Sequence, residues 1–442
     1  MRLFRHSAFP PAAAILVLAA SIRTSRAEDL ASPDENALFA DTVQVVDSVS
    51  RARPPAEEHK SLGISGSILA YGSGSADREY HREFDAAHSS VSAGVVGNAA
   101  LDARLLRGFR AYADFEWSLD ASRGDSAVFR VPETFLDANI GRKIWFRAGK
   151  QVLQWGPGYF FNPTDLINVE RKTLVRRIGE REGVHGAKVH VPFGTAVNLY
   201  GFLDAERGSR PDSLSGAVRA EFLADRSEIA LMAWDGGGRD PVYGADLSTR
   251  WLGLDFAAEG ALYSTFRSQG LEMENGFPGL TGSKRDWQPR ASLGVGRGFR
   301  VSGIPDRLML NAEYYYNHPG SDARRMPFAE LPGQAAAAGI GPEQVAASAA
   351  AYGAYEPNSF SRHYAAFFGA WHRFLRSDLA LSCNAVANLN QGSALLAGVI
   401  SYRDLNDFGL SFTVFGFAGP AGTEYTFAGQ ALQAQLLAEI PF

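Results

Sequence analysis

Apolar and polar residues alternate with a period of two along most of this chain. That constrains the fold more than any other feature, because only an extended strand puts successive side chains on opposite faces. From Phe109 the chain reads F-R-A-Y-A-D-F-E-W-S-L-D, so Phe109, Ala111, Ala113, Phe115, Trp117 and Leu119 share one face and Arg110, Tyr112, Asp114, Glu116, Ser118 and Asp120 the other. The same division separates Leu308, Leu310, Ala312, Tyr314 and Tyr316 from Met309, Asn311, Glu313, Tyr315 and Asn317. It recurs from Leu379, where Leu379, Leu381, Cys383, Ala385, Ala387 and Leu389 oppose Ala380, Ser382, Asn384, Val386 and Asn388.

Breaks in this alternation predict eighteen strands, beginning near residues 62, 89, 109, 127, 143, 183, 195, 213, 227, 242, 253, 286, 306, 360, 377, 393, 406 and 428. Sixteen is the alternative, if two weak segments pair differently. Every second connection is tight: Arg107-Gly108, Gly141-Arg142, Phe193-Gly194-Thr195, Asp225-Arg226, Arg250-Trp251, His372 to Arg376 and Arg403-Asp404. A looser one, Phe299 to Pro305, fits the rule less well. The intervening connections are generally longer, and two are far longer, at residues 154–182 and 318–359. Short turns on one rim, long loops on the other and an even strand number predict an all-β fold, a transmembrane antiparallel β-barrel with both termini on the short-turn, periplasmic side. Closure removes the unpaired edges that lipid cannot satisfy. The mature sequence has no run near the roughly 18 apolar residues of a spanning helix.

The first 27 residues stand apart. Arg2 and Arg5 precede the apolar run Ala12 to Ala20, and Ser25-Arg26-Ala27 ends on a small residue, the order of a secretory signal peptide. The domain reading is therefore a signal peptide at 1–27, a periplasmic N-terminal extension at 28–61 with Pro-rich punctuation and one short helix, and the barrel at 62–442. The leader holds four of the 43 basic residues and no acid, so 39 bases face 48 acids and the mature net charge is −9, which argues against a nucleic-acid partner. A single cysteine, Cys383, excludes an internal disulfide and a Cys-based metal cluster. Abundant aromatics (29 Phe, 15 Tyr, 7 Trp) and 46 glycines suit a barrel whose signal is spread over many strands.

The last strand, A-L-Q-A-Q-L-L-A-E-I-P-F, sets Leu432, Ala434, Leu436, Ala438, Ile440 and Phe442 on one face. An apolar period-two strand ending on Phe442 resembles the terminal assembly signal of bacterial outer-membrane barrels, which implies recognition by the barrel-assembly machinery. A water-filled barrel needs a polar inner face. The alternation assigns to it the bases Arg104, Arg110, Arg147, Lys188, His190, Arg219 and Arg290, and the acids Asp102, Asp114, Glu116, Glu133, Asp137, Glu221, Asp255, Glu259 and Glu313. Both signs are present, so pairing across strands is the alternative to free, pore-lining charge.

The third long loop is expected to fold into that lumen. Its first half (Trp155, Gly156-Pro157-Gly158, Tyr159, Phe160, Phe161, then Asn162-Pro163-Thr164-Asp165) is too aromatic for a solvated loop and needs apolar cover. Its second half carries Arg171, Lys172, Arg176, Arg177 and Arg181 against three Glu. The expectation is that the aromatic half docks on the inner wall and the basic half faces the water, opposite Asp114 and Glu116, favouring anions. Salt bridges pinning the loop are the alternative use of the same charges. The constriction candidates are thus Trp155, Tyr159, Asp165, Arg171, Lys172, Arg176, Arg177 and Arg181, and the wall candidates Arg110, Asp114, Glu116, Arg147 and Lys188.

The stretch Arg147-Ala148-Gly149-Lys150-Gln151-Val152-Leu153-Gln154-Trp155-Gly156, followed by Asn162-Pro163-x-Asp165, is similar to a G-[RK]-Q-x(3)-W-G…N-P-x-D pattern of poorly characterised porin-like outer-membrane families of Gram-negative bacteria. The layout also looks like the 18-stranded substrate-specific channels and the alginate exporter. The resemblance implies an outer-membrane channel for passive diffusion of small hydrophilic solutes, in contact with lipid and lipopolysaccharide, and names no substrate. A barrel that sheathes a partner protein or polymer is the alternative. An enzyme is not expected: the chain has no HExxH and no Walker loop, and Gly294-x-Gly296-x-Gly298 sits inside a strand. No cofactor or metal is implied. In the second long loop, Gly341-Pro342-Glu343 followed by an Ala-rich run starts a helix, read as a surface helix with a lid over the mouth as the alternative.

Overall fold

The computed structural model describes residues 61–77, 89–105, 108–121, 127–153, 155–165, 183–206, 214–236, 239–274, 277–326, 358–376, 378–403, 408–427 and 430–442; within strands, the side chains of 77, 89–90, 239, 265–274, 277–285 and 430 are not described. The signal peptide and extension (1–60), the basic half of the third loop with Arg171, Lys172, Arg176, Arg177 and Arg181, and the Ala-rich helix all lie outside the described residues.

The chain runs through β1 (Ser61–Asp77), β2 (Ser89–Arg104), β3 (Arg110–Asp120), β4 (Val128–Ile140), β5 (Ile144–Gln151), β6 (Val184–Phe193), β7 (Val197–Asp204), β8 (Ser215–Ala224) and β9 (Ser227–Gly236). It continues through β10 (Arg239–Trp251), β11 (Leu254–Glu274), β12 (Phe277–Val301), β13 (Ile304–Asn317), β14 (His363–Trp371), β15 (Leu379–Asn388), β16 (Ser393–Arg403), β17 (Gly409–Ala418) and β18 (Gln430–Pro441). Each strand pairs antiparallel with the next, and β1 pairs with β18, so the sheet closes into an 18-stranded barrel. Sixteen strands are excluded.

The closing seam uses the last residue. Gly66 and Phe442 exchange both backbone hydrogen bonds at 2.9 Å. A Cβ on Gly66 would sit 2.6 Å from Phe442 Cζ, so the terminal ring lies over a position that only glycine leaves open.

Seventeen strands begin within three residues of the places set by the alternation. The exception is β12, expected near 286 and starting at Phe277. β11 and β12 run on past that break as a two-stranded extension, paired out to Glu274↔Phe277. The connection expected to be loose, Phe299 to Pro305, is also tight: Val301 pairs with Ile304 across a Ser302-Gly303 turn whose two residues have φ of 52° and 83°. That is the hairpin turn geometry that matches strand twist, reached through a register shift between Phe299 and Val301.

Burial follows the alternation. Leu62, Ile64, Leu136, Val218, Leu293 and Leu436 are among the large apolar side chains exposed on one face, and Arg219, Glu221, Glu259, Glu313, Gln433 and Gln435 are covered on the other. In a closed barrel this makes the outer belt apolar and the lumen wall polar. The wall departs from this on β13–β17, where Tyr315, Tyr364, Ala366, Val386, Leu395, Ala397 and Phe415 form an inward apolar cluster. Such a surface needs cover, and it gets it from loops.

Candidate functional site

After β5 the chain turns into the barrel. Leu153 and Trp155 pack with Phe202, Ala217, Met232, Trp234, Val242 and Ala261, on the inner faces of β7–β11. Trp155 is therefore buried against the wall. Gly156 then turns the chain at a φ of +97°, with Thr164 Oγ1 and both Glu259 oxygens within 2.8 Å of where a Cβ would stand. Beyond it the segment reaches β13 and β14. Phe161 stacks on Tyr315 at 4.8 Å and 9°, and Tyr159 lies 4.9 Å from Phe368. β13 stands eight strands round the ring from β5, one short of diametrically opposite. The segment thus enters the barrel and lies along its inner wall from β7 to β14.

Two wall carboxylates receive it. Glu259 of β11 accepts from Gly158 N–H at 2.6 Å, from Thr164 N–H at 3.1 Å and from Thr164 O–H at 2.6 Å. Glu313 of β13 accepts from three consecutive backbone N–H groups, Tyr159, Phe160 (2.8 Å) and Phe161 (3.1 Å). Tyr263 of β11 donates its hydroxyl to Pro163 O at 2.7 Å, and Asp165 N–H closes a turn on Asn162 O at 3.1 Å. Burial first, and the neighbouring Glu313 next, raise the Tyr159 phenol above the usual tyrosine range, so it stays a neutral hydroxyl. The alternation had placed Glu259 and Glu313 on the inner face; their engagement with the loop needed contacts between residues 95 to 154 positions apart, beyond any local pattern.

The rest of the inward layer comes from three other connections. Glu424, between β17 and β18, accepts from Asn358 N–H (2.9 Å), Tyr364 O–H (2.7 Å) and Asn388 Nδ2 (2.8 Å), and Tyr425 O–H donates to Asn358 Oδ1 at 2.7 Å. Gln391, between β15 and β16, accepts from Glu424 N–H and donates to Ala323 O. Burial is the largest effect on the Glu424 carboxyl and pushes it up to about 7, outweighing its donors. None of this was anticipated: no period or motif marks residues 419–427.

The wall on β2–β5 is built differently. Asp102, Arg110, Asp137 and Arg147 alternate in sign across adjacent strands, with Arg110 to Asp102 at 2.8 Å, Arg110 to Asp137 at 3.6 Å and Arg147 to Asp137 at 2.7 Å. The Arg147 guanidinium lies 3.9 Å over the Phe135 ring. Lys188 follows on β6, in register with Arg147. Asp114 stands beside Glu116, which faces Arg130 at 3.9 Å. The cations Arg110 and Arg147 are thus engaged in pairs. The structure brings the wall candidates Arg110, Arg147 and Lys188 together in one row, sets Asp114 and Glu116 further along β3, and holds Trp155, Tyr159 and Asp165 in one docked segment.

No protein-family model matches the sequence, and no curated protein matches it. Solved structures do. OccK9 (OpdG) of Pseudomonas aeruginosa aligns over 86% of this chain and 98% of its own at 11% identity, with a TM-score of 0.53. OpdQ of the same organism aligns over 86% and 97% at 8% identity, TM-score 0.52. OccAB1 of Acinetobacter baumannii aligns over 86% and 96% at 12% identity, TM-score 0.51. These neighbours are outer-membrane porins with 18-stranded barrels. At such identities the likeness is one of fold: a closed antiparallel 18-strand barrel, spanned over nearly the whole length of each.

Proposed function

We propose that this chain is a porin-like channel of the outer membrane of a Gram-negative bacterium, passing small hydrophilic solutes by passive diffusion. The observation that carries the proposal is the segment 155–165, which folds into a closed, polar-lined barrel and docks on its inner wall as far round as β14. An 18-stranded barrel is wide enough for a water-filled bore, and a loop folded onto its inner wall narrows that bore to small solutes. The porin neighbours support the same assignment through their fold. A barrel sheathing a polypeptide or polymer would need that bore clear.

Tyr159 and Asp165 stand at the constriction, with Trp155 as its anchor. The basic residues Arg171, Lys172, Arg176, Arg177 and Arg181 give the path its anion preference, since Arg110 and Arg147 already answer Asp102 and Asp137. Phe442 marks the strand that the assembly machinery inserts among lipid and lipopolysaccharide, once residues 1–27 have been removed. Single-channel recording in planar bilayers, with reversal potentials in a salt gradient, tests the proposal. An ohmic step with anion preference is expected. A protein silent at every salt would count against a channel, and a cation-preferring step would remove only the anion assignment.

A further inference from the structure

The segment 155–165 has no strand partner, yet much of it is buried, and a buried backbone N–H needs an acceptor. Two inward glutamates supply acceptors for five of these groups. Glu313 gathers three successive N–H groups on one carboxylate, an arrangement of amides that suits an anion. Glu259 joins the two ends of the segment, taking Gly158 N–H and the Thr164 N–H and O–H. Both side chains are buried, Glu259 4% and Glu313 5% exposed. They stand on β11 and β13, one strand apart in the sheet, so the sheet sets their spacing.

We propose that Glu259 and Glu313 are positioning residues that set the width of the channel by latching residues 158–164 to the far wall as an intramolecular carboxylate ligand pair. The proposal rests on the channel function above. Without Glu313, three adjacent N–H groups face a dry wall with no acceptor, and the segment must leave the wall to find water. Without Glu259, the turn at Gly156–Thr164 loses the group that ties its two ends.

The test is single-channel conductance of the wild type, Glu259→Ala, Glu313→Ala and the double variant, each first shown to be a folded barrel by its heat-modifiable migration in detergent gels. The double variant is expected to raise the conductance step by about twofold with added open-channel noise, since conduction follows the narrowest section of the pore. In potassium formate, compared with chloride at matched conductivity, Glu313→Ala should return toward the wild-type step, because a small carboxylate refills the vacated socket; Glu313→Leu, which fills it with carbon, should not. Gly156→Ala reaches the latch independently, since its Cβ would stand 2.7 Å from Glu259 Oε2, and should widen the step with both glutamates present. Unchanged steps and noise in all variants of a conducting wild type overturn the latch, and so does widening that formate never reverses. A silent wild type beside a conducting double variant overturns the open-channel function and upholds the latch. Silence of both overturns the two together.

Discussion

The lumen wall has two halves that treat the same residue types in opposite ways. On β2–β5, inward carboxylates and guanidiniums alternate in a partly hydrated ladder, with Arg110 and Asp102 side chains 25% and 27% exposed. On β8–β14, inward charges are sealed: Arg219 and Asp246 are 6% and 2% exposed at 2.6 Å, and Glu259 and Glu313 hold backbone amides. Sequence alternation puts an Asp or Glu on the inner face; what stands across from it decides whether it faces water, a base or a loop. Among the described residues, the segment 153–165 covers the sealed side, and the ladder charges stay partly exposed.

The largest expected effect lies in the sealed half. Arg219 reaches Glu221 at 2.8 Å, Asp246 at 2.6 Å and Glu228 at 3.9 Å, one cation for three carboxylates. Arg219→Gln should cost about 3–5 kcal/mol, the range for leaving a buried charge unanswered. Guanidinium unfolding of the refolded barrel in detergent would measure it, and a loss below 1 kcal/mol would mean that this half is as wet as the other.

This contrast also explains what could be read from the sequence. The strands were legible because lipid outside and water inside impose a period of two on each of them. The pattern failed on the tip of the β11–β12 hairpin, residues 265–285, which holds Gly270, Gly276, Pro278, Gly279 and Gly282. These residues break the run of alternating apolar side chains, so the pattern carries no strand signal there. The aromatic half of the third loop was legible because Tyr159, Phe160 and Phe161 in a row demand apolar cover. Its resting place was not, because Glu313, Tyr315 and Tyr364 come to it only through closure of the barrel. The apolar inner cluster on β13–β17 went unseen for a related reason: inward Val386, Leu395 and Phe415 look like errors in a polar wall until the loops that cover them are in place.

The loop layer over β13–β17 responds to pH in a way that can be measured. The Glu424 carboxyl sits at about 7 against an ordinary 4.5, so the folded loop layer holds this proton more tightly than the unfolded chain. Its contribution to stability is complete below about 4.5 and is lost as pH rises from there to about 7. Protease sensitivity or amide exchange of residues 419–427 should rise across that window, and Glu424→Gln should flatten the rise. The same slope in the Gln variant would move the titration to another group. Neighbouring charge is part of this measurement, since Arg362 pairs with Asp322 at 2.8 Å in the adjoining connection.

The smallest effects belong to the hydrated half, and they set the scale for the rest. Arg110→Gln removes two partly exposed ion pairs, to Asp102 and Asp137, and should cost no more than about 1 kcal/mol. Its clearer signature is electrical: with Asp102 and Asp137 less neutralised, the reversal potential should move toward cations while the step size holds. Arg250 and Asp255, 54% and 48% exposed, form the same kind of pair nearer to solvent, and Arg250→Gln should change neither stability nor selectivity measurably. If Arg110→Gln proved as costly as Arg219→Gln, the ladder would have to be as dry as the sealed wall. If it shifted selectivity with little loss of stability, the row Asp102–Arg110–Asp137–Arg147 would be a surface that passing ions feel.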